Sequence, residues 1–160
     1  MAGPAPRREV RRATPADLPA ITGVFWRGVH EGATPRYDAA QRHAWLPERP
    51  TPAAFADRLG DQAVWVAQEG EIVTGFVTLR GDGYLDFAYV LPEVRGTGTA
   101  DALLAVLENH ARVRGLTRLT VRASDMARPF LARHGWTDAA PAPQVRNGVT
   151  IPATDMARAL

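Results

Sequence analysis

Tyr84-Leu-Asp-Phe-Ala-Tyr-Val-Leu-Pro-Glu-Val-Arg-Gly-Thr-Gly-Thr-Ala100 carries a strand into a glycine-rich bend, and the bend opens a long helix. Glycines leave backbone N–H groups unscreened, so several can point at one ligand. The helix start adds unpaired N–H groups and a partial positive charge. Together these features describe a phosphate cradle, with Arg95 adding a full charge at its mouth. The cradle is not a Walker A loop, which needs a lysine that the chain lacks. It is also a poor dinucleotide fingerprint, because Asp101 stands at the third glycine's place and an acid there opposes a pyrophosphate. The other reading of the stretch, taken alone, is a plain glycine turn before a helix.

Working outward, Ala63–Gln68 and Ile72–Leu79 alternate as a hairpin about Gly70, and Gly81-Asp82-Gly83 turns the chain into the strand Tyr84–Val90. Thr99–Arg114 is an amphipathic helix with Leu103, Leu104, Leu107 and Ala111 on one face and Gly115 as its stop. Leu116–Ala123 reads as the next strand, parallel to Tyr84–Val90 through that crossover. Ser124 or Asp125 caps a short helix that runs through Arg133 and ends at Gly135. Upstream, Glu9–Arg12 is a first strand, Thr14-Pro15-Ala16-Asp17 starts a helix carried by Leu18, Ile21, Phe25 and Val29, and Asp38–Trp45 and Thr51–Gly60 are two further helices. The tail, Trp136–Leu160, holds one or two strands whose limits are blurred by Pro141, Pro143 and Pro152. The fold class is α/β, or α+β by some conventions: a mixed twisted sheet flanked by helices. At 160 residues, one domain over 1–160 is expected, with 1–8 a flexible leader.

Composition removes several functions. With no cysteine there is no disulfide framework, thiolate metal site or cysteine nucleophile. The four histidines show no ligand spacing, so no metal is expected. No apolar run approaches the roughly 20 residues of a membrane span. The basic N-terminus has no apolar stretch behind it and is not a signal peptide, so a cytoplasmic protein is expected. All 19 basic residues are arginine, interspersed with acids, and the net charge is only +2, which argues against nucleic acid.

Arg95-Gly-Thr-Gly-Thr-Ala100 resembles the Arg/Gln-x-x-Gly-x-Gly/Ala signature of the GNAT (GCN5-related) N-acetyltransferases, with Val90-x-Pro92 before it and Ala102-Leu103-Leu104 after it. Ala127-Arg-Pro-Phe130-Leu-Ala-Arg-His-Gly135-Trp136 resembles the family's second motif. The likeness covers roughly residues 9–140, and His30–Trp45 is similar to one subgroup of small, mostly uncharacterised bacterial members. The resemblance implies the acyl-CoA N-acyltransferase fold and acetyl-CoA as co-substrate. It implies that backbone groups of Tyr89 and Val90 pair with the pantetheine arm, where two strands splay apart. Amides of Arg95, Gly96, Thr97, Gly98, Thr99 and Ala100 would hold the pyrophosphate, and Ser124 and Phe130 would flank the thiol end.

Without a cysteine, an acyl-cysteine intermediate is excluded and direct amine attack in a ternary complex is the default. Asp86 shares a strand face with Tyr84 and Ala88 under simple alternation, while Tyr89 faces away. The family often places a general base on this strand, so Asp86 and Tyr84 are the candidate catalytic residues; the other reading of Asp86 is a partner for an arginine. The family's general-acid tyrosine falls at Leu131 and is missing, leaving Tyr84, Tyr89 or His134 as substitutes. Acceptor contacts are expected from the N-terminal helices and the tail, with Trp26, His30 and Tyr37, near Trp45, as the named candidates. The expected function is acetylation of a small-molecule amine by a monomer or homodimer. The alternatives are a non-catalytic acyl-CoA-binding module and a protein or peptide N-acetyltransferase.

Overall fold

A computed structural model describes residue 3 and residues 7–160. Apart from Gly3, Arg7 and Arg8, the expected leader lies outside the described residues, and Arg8 already belongs to the first strand. The strands are β1 (Arg8–Arg12), β2 (Ala63–Glu69), β3 (Ile72–Leu79), β4 (Tyr84–Val90), β5 (Arg118–Ser124), β6 (Thr137–Pro141), β7 (Gln144–Arg146), β8 (Val149–Ile151) and β9 (Ala153–Ala159). The helices are α1 (Leu18–Arg27), α2 (Ala39–Trp45), α3 (Pro52–Leu59), α4 (Thr99–Val113) and α5 (Ala127–Arg133). Seven strands form one sheet in the order β1-β2-β3-β4-β5-β9-β6. Every pairing in it is antiparallel except β4–β5, the parallel pair joined through α4. The tail therefore supplies four strands rather than one or two; β7 and β8 pair only with each other, as a hairpin about Asn147-Gly148.

Two cores cover the two faces. On one, Leu103, Leu104, Leu107 and Ala111 of α4 pack with Val77, Leu79, Leu85, Leu119, Val121 and Met156. On the other, Ile21, Val24 and Phe25 of α1 and Phe55 and Leu59 of α3 pack with Val66, Phe76 and Phe87. The apolar spacing read from the sequence supplies both faces. The first helix is interrupted at Gly28, where Gly28–Gly32 continues as a wider π-type turn.

The N-terminal start signal is a full capping box, and Asp17 does more than cap. Its carboxylate accepts from Thr14 N at 2.8 Å and from both terminal guanidinium nitrogens of Arg11 at 2.8 Å, tying α1's entry to β1. The Arg11 hydrogen bonds pull the Asp17 carboxyl down to about 2, against the opposing effect of burial. The folded pKa lies below the unfolded one, so this stability is present above about pH 4 and disappears as pH falls toward 2. Asp17→Asn is expected to cost about 2 kcal/mol at neutral pH and nothing measurable near pH 2. Urea unfolding at several pH values checks this; a cost independent of pH would show that the carboxylate's charge is not what matters.

Candidate active site

The parallel pairing of β4 and β5 is confined to Tyr84↔Thr120 and Leu85↔Val121. Beyond it the strands diverge, and the gap opens into a cavity of about 830 Å³ that reaches from the glycine bend to β8. The divergence begins at a bulge. Leu79 faces Leu85 and Thr78 faces Phe87, so Asp86 is an extra residue with no partner opposite it. The bulge explains why Leu85 lies in the α4 core and Phe87, two residues on, in the α1–α3 core. Thr78 Oγ1 accepts from Phe87 N at 3.1 Å and fixes the kink.

The bulge corrects the simple alternation. Tyr89 packs in the α1–α3 core with Phe87, and Asp86 bonds to α3, so the two point to the same side rather than opposite ones. Ala88, one residue from each of Phe87 and Tyr89, turns away from that face. Asp86 is nearly buried, with its side chain 7% exposed, and both oxygens are engaged. Arg58 donates to them at 2.6 and 2.9 Å, and Gln62 Nε2 adds a third bond at 2.8 Å. Tyr84 lines the cavity at the closed, paired end of β4, beneath Arg80.

At the other end, Gly96 and Gly98 both adopt positive φ, 73° and 90°, conformations natural to glycine. Gly98 caps α4, and its carbonyl accepts from Ala102 N at 3.0 Å. Among the described residues, the amides of Gly96, Gly98, Thr99, Ala100 and Asp101 donate to no acceptor. Gly96, Gly98, Thr99, Ala100 and Asp101 all line the cavity, as do Val90 and Arg95. Thr97 does not: its amide and hydroxyl both turn back to Val94 O. Arg95 reaches across to Gly32 O at 2.5 Å, clamping the bend to the segment after α1. Asp101, the acid out of place for a dinucleotide fold, pairs with His134 at 2.7 Å. Sequence reasoning did not single out Arg8, whose guanidinium donates to Thr97 O and braces the bend from β1. A phosphate ligand fits this cradle: free amides, no Cβ at two of its positions, and a helix start behind them. Among the described residues, no group of three or more His, Asp or Glu side chains stands close enough together to hold a metal ion.

The remaining sequence candidates divide. Tyr37, Ser124 and Phe130 line the cavity with Trp45. Trp26 and His30 do not; their rings stack on each other at 3.9 Å, and His30 Nε2 lies 2.7 Å from Leu46 O. The residues that close the far end of the cavity come from the tail, as Gln144, Arg146 and Ile151 of the β7–β8 hairpin. Three bonds latch that end to α2 and the turn before it. Arg146 donates to Trp45 O at 2.9 Å, Gln41 Nε2 to Thr150 O at 3.2 Å, and Tyr37 Oη to Pro152 O at 2.6 Å.

Residues 33–160 match the family model described as an acetyltransferase (GNAT) domain. The chain is 31% identical over 128 residues to the uncharacterized N-acetyltransferase YafP of Escherichia coli (strain K12), covering 80% of each chain. It is similar to the crystal structure of a GCN5-related N-acetyltransferase from Rhodopseudomonas palustris, at 29% identity and TM-score 0.88 over 100% of this chain and 99% of that one. It is also similar to yncA from Salmonella typhimurium, solved with its cofactor acetyl-CoA, at 26% identity and TM-score 0.67 over 96% of this chain and 94% of that one.

Proposed function

This chain belongs to the GNAT acetyltransferase family, and from that premise we propose that it transfers the acetyl group of acetyl-CoA to an amine of a small molecule. The observation that carries the reading is the splay of β4 from β5 above the free amides at the head of α4. Amides from Gly96 to Asp101 suit the pyrophosphate, and the unpaired edge of β4 at Tyr89 and Val90 suits the pantetheine amides. Bound acetyl-CoA supplies an activated acetyl thioester. The protein's part is to align that group with the acceptor nitrogen and to exclude water. The latched hairpin supports a small acceptor rather than a peptide, because it walls the far end of the cavity with Trp45, Tyr37 and Ile151.

Direct attack is favoured, since no cysteine is present to carry the acetyl group. Asp86, with both oxygens engaged, acts by holding the bulge, and the strand amides just beyond it face the opening in the sheet. Such amides can stabilise a developing oxyanion.

Calorimetry with acetyl-CoA, CoA and NAD tests the cradle, and thiol release across a library of amines tests the transfer. We expect both CoA compounds to bind, NAD not to, and one class of small amine to accelerate thiol release. Binding without turnover on any small amine, but with turnover on basic peptides, would replace the small-molecule reading.

A further inference from the structure

The family's usual proton donor is a tyrosine at the position of Leu131, which here is 2% exposed and packed in the α4 core. The chain has three tyrosines, Tyr37, Tyr84 and Tyr89, and all three line the cavity. Their hydroxyls are not equivalent. Tyr37 Oη donates to Pro152 O at 2.6 Å and accepts from Asp125 N at 2.8 Å, so both of its roles are taken. Tyr84 stands where β4 and β5 are still paired, with Arg80 over its ring. His134, the remaining candidate, is bound to Asp101 at the outer end of the bend. Tyr89 Oη has no hydrogen-bond partner among the described residues, and unlike Tyr84 it lies beyond the paired stretch of β4 and β5, where the gap has opened.

Its ring is nevertheless held firmly. Phe25, Phe76, Trp45 and Phe87 surround it at centroid distances of 5.0, 6.0, 6.4 and 6.5 Å. The helix is opened for it: a Cβ on Gly28 would come within 2.6 Å of Tyr89 Cδ1, so the ring occupies space that only a glycine leaves. An immobilised ring with an unspent hydroxyl, directed to the cavity by the bulge, is what a proton donor requires. Asp86, Tyr37 and Arg146 line the same cavity as Tyr89. Burial, reinforced by Tyr37 and Asp86 and opposed by Arg146, pushes its pKa above the usual tyrosine range, so it stays protonated at any working pH.

We propose that Tyr89 Oη is the catalytic proton donor to the departing sulfur, in place of the residue missing at Leu131. The assignment rests on the acetyl-transfer reading above. The acceptor nitrogen forms its bond to the acetyl carbon, and the carbon–sulfur bond breaks with its electron pair passing to sulfur. Tyr89 gives sulfur a proton, and the proton shed by the acceptor nitrogen restores the phenol. No further reactant is needed.

Tyr89→Phe keeps the ring and removes only the donor. We expect kcat to fall about 10²-fold while acetyl-CoA affinity, read by calorimetry, stays within about threefold. A second readout needs no turnover. The thiol of bound CoA can be titrated by its thiolate difference absorbance, to which no protein thiol contributes because the protein has no cysteine. A donor at Tyr89 stabilises the thiolate, so its ionisation should move up by about one pH unit in Tyr89→Phe. Unchanged thiol ionisation would overturn the assignment whatever happens to kcat, since a merely structural ring leaves sulfur alone. If the wild type itself neither binds acetyl-CoA nor acetylates any amine, the acetyl-transfer reading falls with it. If the wild type does both and the variant matches it, only Tyr89 is removed.

Discussion

Gly98→Glu is expected to abolish acetyl-CoA binding measurable by calorimetry while leaving the protein folded. Two effects add. Gly98 sits at φ 90°, ψ 4°, a conformation that costs a residue with a side chain about 1–2 kcal/mol. The carboxylate would also point into the space the free amides surround. At about 4 Å and an effective dielectric constant near 20, one like-charge contact with a phosphate costs about 4 kcal/mol. Together these exceed three decades in affinity. A neighbour worsens the loss: a Cβ at this position lies 3.4 Å from Arg8 Nη1, so the new carboxylate has an arginine ready to hold it in the cradle as an internal anion. Gly98→Ala separates the effects, because it carries only the backbone cost and should weaken binding about tenfold. A glutamate variant that binds within tenfold of the wild type would mean that this bend does not hold the phosphates. The bend is exposed and outside both cores, so the melting temperature should shift by only a few degrees.

The cradle was legible in the sequence because its signals are local: two glycines, a helix start and an amphipathic run within a few residues. The mixed sheet was legible for the same reason, since period-2 and period-3.6 patterns announce their own elements. What escaped depends on pairing. The bulge at Asp86 is a property of the β3–β4 register, and nothing in Tyr84–Val90 alone says that one residue lacks a partner. Missing it reversed the face assigned to every residue after Asp86, which is why Tyr89 first read as turned away from the site. The tail was under-read because its prolines are strand breakers in isolation. In the fold, Pro141 closes the edge strand β6 and Pro152 sits between β8 and β9, where no ladder bond is lost. Arg58 and Gln62 could not be matched to Asp86 from sequence, since 28 and 24 residues separate them.

That pairing decides how Asp86 works. Asp86→Asn is expected to leave acetyl-CoA affinity within about threefold and to lower kcat about 10²-fold, the scale on which a small misplacement of reacting groups is felt. A general base would show the same loss, so the companion variant carries the argument. Arg58→Ala frees the carboxylate and leaves it in place. Were Asp86 the base, an unpaired carboxylate would remain competent and kcat would change little. If instead Arg58, Asp86 and Gln62 act as one strut that fixes the bulge, Arg58→Ala should lose nearly as much as Asp86→Asn. The double variant should then be no worse than either single one, because partners in one unit are non-additive. We expect this second pattern, since bidentate contact at 2.6 and 2.9 Å and a third bond from Gln62 occupy three of the roughly four acceptor sites of the carboxylate and fix it in place. Because the Asp86 side chain is only 7% exposed, Arg58→Ala also costs stability, and urea unfolding of the variant separates that cost from the kinetic effect. Retained kcat in Arg58→Ala beside a hundredfold loss in Asp86→Asn would return Asp86 to the role of base.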